Sequence, residues 1–274
     1  MTLLKVDQSK CRKDGHCVSV CPGAIIRMDR KTGFPDLIPR AEKACIGCGQ
    51  CVAVCPHGAM DHLQVPIEQC PPIKKELTIS QDQAVQFLRS RRSIRIFKNR
   101  PVAQEALNTL IESARYAPTA GNAQSIKWLV LTQKERIRHF AELTVAHMRH
   151  TIATADPSTY AHYWPALVAA WDKGLDVILR SAPALVIAAA PRANAHGMTD
   201  VTLALSYFEL AALNMEMGTC WAGLLHVAMC RGDDFNRELP VLATHSHHYP
   251  LMVGYPNLRY HRLPERKLPD IEWL

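Results

Sequence analysis

Cysteine spacing constrains this chain more than any other feature. Residues 45–56 read Cys45-Ile-Gly-Cys48-Gly-Gln-Cys51-Val-Ala-Val-Cys55-Pro56, a C-x2-C-x2-C-x3-C-P run. Four thiols so crowded, closed by a proline that turns the chain away, match the ligand run of bacterial iron-sulfur clusters, whose soft centres take anionic sulfur donors. An upstream segment, Cys11-Arg-Lys-Asp14-Gly-His-Cys17-Val-Ser-Val-Cys21-Pro22, keeps that spacing with Asp14 where the second cysteine would stand. In two-cluster modules the last cysteine of each run serves the other cluster. One ligand set is then Cys45, Cys48, Cys51 and Cys21, and the other is Cys11, Cys17, Cys55 and, at an odd corner, Asp14. Gly47 and Gly49 let the backbone wrap closely and offer N–H groups to the sulfides. A carboxylate is a harder and weaker donor, so the Asp14 corner could hold an exchangeable iron or lose it and leave a 3Fe-4S cluster. The competing reading is a plain Asp14-Gly15 turn. The alternative to two 4Fe-4S clusters is a pair of zinc sites, but these usually join C-x2-C knuckles far apart in sequence.

Ten cysteines would suit a secreted disulfide framework, yet seven of them fall between residues 11 and 55 in these tandem runs. No export signal precedes them, and a reducing cytoplasm is the expected setting. No segment approaches ~20 uninterrupted apolar residues, so no membrane span is expected. The net charge of +7 is spread along the chain; it favours an acidic redox partner or a phosphate-bearing cofactor over nucleic acid.

The composition changes along the chain and predicts an α+β protein of two parts. Residues 1–65 are the cysteine-rich module, and residues 66–80 are a linker stiffened by Pro66, Pro71 and Pro72. Residues 81–274 form a second domain. Helical patterns are expected over Asp82–Leu88, at Ala106–Ala114, over Asp200–Met217, and from about Tyr160 to Leu179. Strand-length apolar runs lie at Lys127–Thr132, Ala184–Ala190 and Leu251–Tyr255. The Asp200–Met217 segment is apolar on more than one face and is expected to be buried on most sides, at a subunit contact.

Within the second domain, Arg91-Arg92-Ser93-Ile94-Arg95 packs guanidinium groups around a hydroxyl, the outline of a phosphate site. Such a stretch can equally be a solvated face, and it gains weight only from the segments that accompany it. Tyr116-Ala-Pro-Thr-Ala-Gly-Asn122-Ala-Gln124 is a small-residue loop bearing two amides. Downstream come Gly218-Thr-Cys-Trp221-Ala222-Gly223 and a basic tail holding Arg266 and Lys267.

These elements, in this order, resemble the nitroreductase family of FMN enzymes, and with the cysteine module the chain resembles its ferredoxin-fused branch. The resemblance implies a mixed sheet wrapped by helices in an intertwined homodimer, with FMN at the interface. Arg91, Ser93 and Arg95, with Arg92, would hold the FMN phosphate and ribityl chain. Asn122 and Gln124 would line the isoalloxazine, the backbone at Trp221, Ala222 and Gly223 would approach flavin N5, and Arg266 or Lys267 would return to the phosphate. The flavin itself would carry the chemistry, so no catalytic side chain is assigned. Ser125-Ile126-Lys127-Trp128 departs from the Pro-Trp that often follows the family's glutamine.

A flavin beside iron-sulfur clusters connects one-electron carriers to two-electron chemistry. The expected activity is an FMN-dependent reductase that takes electrons from ferredoxin or NAD(P)H through two clusters and delivers them to a nitroaromatic or quinone. The alternatives are a non-enzymatic electron carrier or redox sensor, and a cofactor-processing flavoenzyme. Thr244–Tyr249, with three histidines and no companion carboxylate, reads as a polar loop and not a metal site. Cys70 and Cys230 read as buried structural thiols, and Cys220 as a packing residue in the flavin segment. Tyr160, Tyr163, Trp164 and Trp171 read as core aromatics, with substrate contact the lesser alternative.

Overall fold

The computed structural model describes residues 2–154, 161–231 and 233–274. The chain divides into two compact units, one of residues 1–79 with 121–123 and one of residues 80–120 with 124–274.

The first unit is a doubled motif. Strand β1 (Leu4–Val6) pairs antiparallel with β4 (Met60–His62), and β2 (Ile26–Met28) pairs with β3 (Pro35–Leu37). Between them lie two matching one-turn helices, α1 (His16–Ser19) and α2 (Gln50–Ala53). Each helix is entered through a glycine in the left-handed region, Gly15 at φ 75° and Gly49 at φ 69°, a conformation that side-chain-bearing residues resist. The apolar core is small: Ile25, Ile26, Ala41, Val52 and Met60, with Cys17 and Cys51 among them. The proline-rich stretch after β4 is not wholly extended, since Ile67–Gln69 and Lys75–Leu77 each form a 3-10 turn.

The second unit begins with α3 (Gln81–Ser90), started by a capping box in which the Gln83 N–H donates to Ser80 Oγ at 3.2 Å and the Ser80 N–H to Gln83 Oε1 at 2.8 Å. It continues through α4 (Gln104–Ala114), β5 (Lys127–Leu131), α5 (Lys134–Ala153), α6 (Trp164–Asp172), β6 (Ala184–Ala190) and α7 (Gly197–Asn214). Then come β7 (Gly218–Trp221), α8 (Gly223–Arg231), α9 (Asp233–Glu238) and β8 (His247–Gly254). The strands form one antiparallel sheet in the order β5-β6-β8-β7, and a single parallel bridge from Ser93 to Thr219 makes it mixed.

The central strand explains the core. All seven residues of β6 are buried, as an uninterrupted apolar run requires when both faces of a sheet are covered. Leu185, Ile187 and Ala189 face Phe140, Trp164 and Phe235, while Ala184, Val186, Ala188 and Ala190 face Leu107, Leu110 and Phe208 on the other side. Each fully buried Leu, Ile or Phe contributes roughly 1.5–3 kcal/mol, and these two layers fix the sheet that carries the site.

Three expectations need correction. The helix expected from Tyr160 to Leu179 is confined to Trp164–Asp172 after a 3-10 turn, and Tyr160 lies outside the described residues. Beyond it Asp176 accepts the N–H groups of Ile178, Leu179 and Ser181, a local competitor that ends helical pairing. Cys230 is exposed, at the end of α8, and not a buried thiol. His247–Tyr249 are strand residues of β8 and not a polar loop.

His248 is 4% exposed and its Nδ1 has no hydrogen-bond partner. Burial first, then the neighbouring His226 and His247, push its pKa down to about 4 from an ordinary 6.5. Above pH 6.5 the ring is neutral whether folded or not; between pH 6.5 and about 4 only the unfolded chain takes the proton. Stability should therefore fall by about 3 kcal/mol as pH drops through that window. Urea midpoints at pH 7 and 4.5 measure this, and a His248→Phe variant should lose that part of the pH slope.

Candidate functional site

Each cysteine run wraps a cavity in the first unit. Cys21, Cys45, Cys48 and Cys51 line one, and Cys11, Cys17, Cys55 and Asp14 line the other. The last cysteine of each run thus stands with the other run. Among the described residues no three His, Cys, Asp or Glu side chains are gathered tightly enough to hold a single ion. The thiols instead ring a space. Burial pushes the Cys17 thiol up and the Cys51 thiol up to about 11. Buried thiols of this kind become thiolates when a metal centre binds them. N–H groups already point at sulfur: that of Gly47 at Cys45 Sγ and that of Ala59 at Cys55 Sγ, each at 3.4 Å. Donor chemistry, spacing and N–H···S bonds fit an iron-sulfur cluster in each cavity.

Asp14 makes a turn-type bond and also stands in the cavity wall. Its Oδ1 accepts the His16 N–H at 3.1 Å at the start of α1, as a turn residue does. Its Oδ2 lies 3.6 Å from His57 Nε2, and the residue lines the cavity.

In the second unit the arginine-rich segment is laid along β7. The Ile94 N–H donates to the Thr219 carbonyl at 2.8 Å, and Gly218 makes the approach possible: a Cβ there would stand 2.2 Å from Ile94 Cγ1. Glu209, on the buried face of α7, fastens the arrangement. It accepts the Thr219 hydroxyl at 2.8 Å, Arg91 Nη1 at 3.4 Å and the Trp221 indole N–H at 3.4 Å. One of only two acids within an apolar helix, the other being Asp200, Glu209 stood out by that contrast alone.

Beside β7 lies a cavity of about 500 Å³, within the range of cofactor sites, lined by Arg95, Tyr163, Trp164, Arg180, Trp221, Ala222, Gly223, His226 and Tyr249. Its walls are flat rings: Tyr249 stacks on His226 at 4.1 Å and meets Trp221 edge-on at 4.9 Å. Its polar character includes two guanidinium groups and the Trp164 indole N–H, which is buried without a hydrogen-bond partner. Burial raises the Cys220 thiol, opposed by the charges of Arg95 and Arg180, and burial lowers the His226 pKa. Aromatic walls with donors and cations suit a flat ring that carries a negatively charged group.

The sequence-predicted residues are not all gathered here. Arg95, Trp221, Ala222 and Gly223 line this cavity, although the Ala222 N–H donates to the Pro250 carbonyl at 3.0 Å. Arg91 and Ser93 do not line it: Arg91 donates to Glu209, and Ser93 bridges to Thr219. Arg92 faces a different, open cavity of about 810 Å³ with Lys98, Arg100, Arg259 and Tyr260. Gln124 has φ 47°, and its N–H donates to Thr119 Oγ1 at 3.0 Å. Asn122, grouped with the first unit, donates from Nδ2 to the Ile46 and Gly47 carbonyls at 3.0 and 3.1 Å. Arg266 and Lys267 lie in the exposed segment after β8. Tyr163 and Trp164 line the cavity, whereas Trp171 packs against the core under Arg138.

The Nitroreductase family model matches residues 88–255, more than half of the chain, and that of a 4Fe-4S dicluster domain matches residues 9–59. Curated relatives match over shorter stretches. Electron transport protein HydN of Escherichia coli K12 is 39% identical over 59 residues, 21% of this chain and 31% of that protein. An FMN reductase [NAD(P)H] of Bacillus subtilis 168 is 36% identical over 62 residues, 23% of this chain and 25% of that protein. The chain thus spans about a third or less of these relatives. Among solved structures, a nitroreductase with bound FMN from Bacteroides fragilis superposes with TM-score 0.52 at 17% identity, covering 69% of this chain and 99% of that one. One from Desulfitobacterium hafniense gives 0.53 at 17% identity, covering 72% and 100%. At such identity these two show the fold.

Proposed function

The chain belongs to the nitroreductase family and carries a ferredoxin-type domain before it, and from this we propose that it is an iron-sulfur flavoprotein reductase. Electrons from ferredoxin would enter one at a time through two clusters, held by Cys21, Cys45, Cys48, Cys51 and by Cys11, Cys17, Cys55 with Asp14, or as a hydride from NAD(P)H at FMN, and would leave through FMN to a nitroaromatic or quinone. The observation that carries this reading is the coexistence in one chain of two thiol-ringed cavities and one aromatic, cationic cavity of about 500 Å³. FMN exchanges electrons singly with iron-sulfur centres and in pairs with organic acceptors.

This chain's residues would bind and orient. Arg95 supplies positive charge at the cavity, Arg91 is tied to Glu209 and Ser93 to Thr219, and Trp221 and Tyr249 form its flat walls. Arg92, Asn122, Gln124, Arg266 and Lys267 keep their proposed flavin roles through the family resemblance. A homodimer suits the exposed apolar surface of the carboxyl-terminal segment, where Leu268 and Trp273 are 91% and 90% exposed. No helix among the described residues is long and apolar enough to cross a membrane.

HydN likeness favours a second reading, an electron carrier with no small acceptor of its own. One anaerobic preparation tests both. Iron and flavin should co-purify, and sedimentation should give twice the 30.6 kDa chain mass. In stopped flow, the reduced flavin should be reoxidised by nitroaromatics or quinones far faster than free FMN is. Reoxidation at the background rate would leave the carrier, and zinc in place of iron or failure to retain FMN would overturn the reading.

A further inference from the structure

The two cysteine cavities differ in one buried side chain. His62, the last residue of β4, is 3% exposed and lines the cavity of Cys21, Cys45, Cys48 and Cys51. Its Nε2 lies 3.4 Å from Cys45 Sγ. Its Nδ1 accepts the backbone N–H of Gln64 at 3.1 Å. An acceptor nitrogen carries no hydrogen, so the proton of the neutral ring sits on Nε2 and points at sulfur. Cys45 thereby receives two N–H groups, from Gly47 and from His62. Among the described residues the other cavity has no counterpart. The histidine lining it, His57, is directed to Asp14 at 3.6 Å, with its side chain 38% exposed.

We propose that His62 is a positioning residue whose Nε2–H···Sγ bond to Cys45 raises the reduction potential of the cluster held by Cys21, Cys45, Cys48 and Cys51. The physical reason is charge. One added electron makes the cluster and its thiolates more negative, so a fixed N–H donor is a better partner to the reduced state than to the oxidised one. The reduced state gains, and the potential moves upward. The His62 to Gln64 contact makes the donor permanent, because it fixes the tautomer without any change in ring charge. The two clusters are thus unequal, and the Cys45 cluster is a better electron acceptor than its ligand set alone would make it.

This inference rests on the reading that these cavities hold iron-sulfur clusters, and the experiment separates the two. Wild-type full-length holoprotein, His62→Phe and His62→Gln are purified anaerobically, assayed for iron, and titrated with EPR detection. In His62→Phe the reduction equilibrium of one cluster should fall about tenfold, 59 mV for a one-electron couple, while the other cluster stays put. His62→Gln, which keeps an N–H donor, should recover part of the loss. Sign distinguishes this from a packing effect: a cavity merely opened to water favours the more charged reduced state and moves the potential up. An unchanged or raised potential in the iron-replete phenylalanine variant overturns the proposal. If that variant fails to assemble, pulsed EPR on reduced wild-type protein labelled with 15N-histidine should show a coupling that His62→Gln lacks, and its absence from the wild type overturns the proposal equally. Lack of iron in the wild type itself overturns the cluster reading, and this inference with it.

Discussion

Replacing Cys51 with alanine should cost at least half of the iron bound per chain and unfold much of the first unit. Cys51 sits in the small core with Val52, Met60 and Ile26. Truncating a buried side chain of this size by itself costs about 1 kcal/mol. The larger loss is the cluster: where a fold closes around its metal centre, the binding free energy is folding free energy. The core residues are too few to replace it. Iron assay and limited proteolysis check the result, with Cys70→Ala as the control. Cys70 is a half-buried thiol that donates to the Pro66 carbonyl at 3.4 Å and lines neither cavity, so its variant should keep all its iron. Iron retained in Cys51→Ala would remove Cys51 from the ligand set.

The second large effect is expected at Glu209. Its side chain is 8% exposed and serves three donors, so Glu209→Ala strands Arg91, the Thr219 hydroxyl and the Trp221 indole together. Breaking a buried ion pair costs about 3–5 kcal/mol. The lower end applies here, because the Arg91 side chain keeps 27% of its surface in water. A loss of about 3 kcal/mol corresponds to roughly 10 °C in Tm for a domain of this size. Glu209→Gln keeps an oxygen for Thr219 and should fall between. Thermal unfolding of the three proteins decides the matter, and an Ala variant within about 1 °C of wild type would mean that water replaces the carboxylate.

Legibility depended on how many forces acted on a residue together. Ala184–Ala190 reads as a strand and is one, residue for residue, because a strand covered on both faces needs every side chain apolar. The placement of the cysteines around two cavities follows the spacing of the runs. Strand β7 was not recognised as a strand in the sequence: Gly218-Thr-Cys-Trp lacks a β-branched run and is held by β8 on one side and the Ile94 contact on the other. His247–Tyr249 looked like a loop because nothing local says that β6 will pair with it along its whole length. Local propensity loses to tertiary pairing in both places. Glu209 and His62 were missed for a different reason. Each is a single polar residue with a partner distant in sequence, Arg91 for Glu209 and Cys45 for His62, and only the folded backbone brings them together.

The doubled motif of the first unit has one last consequence. Each half contributes three proposed ligands to one cavity and a single cysteine to the opposite one, Cys21 in one direction and Cys55 in the other. A tandem repeat whose copies each kept their own ligands could lose one copy and go on working. On the proposed ligand sets each half holds the other's last ligand, so neither half closes a cluster site alone.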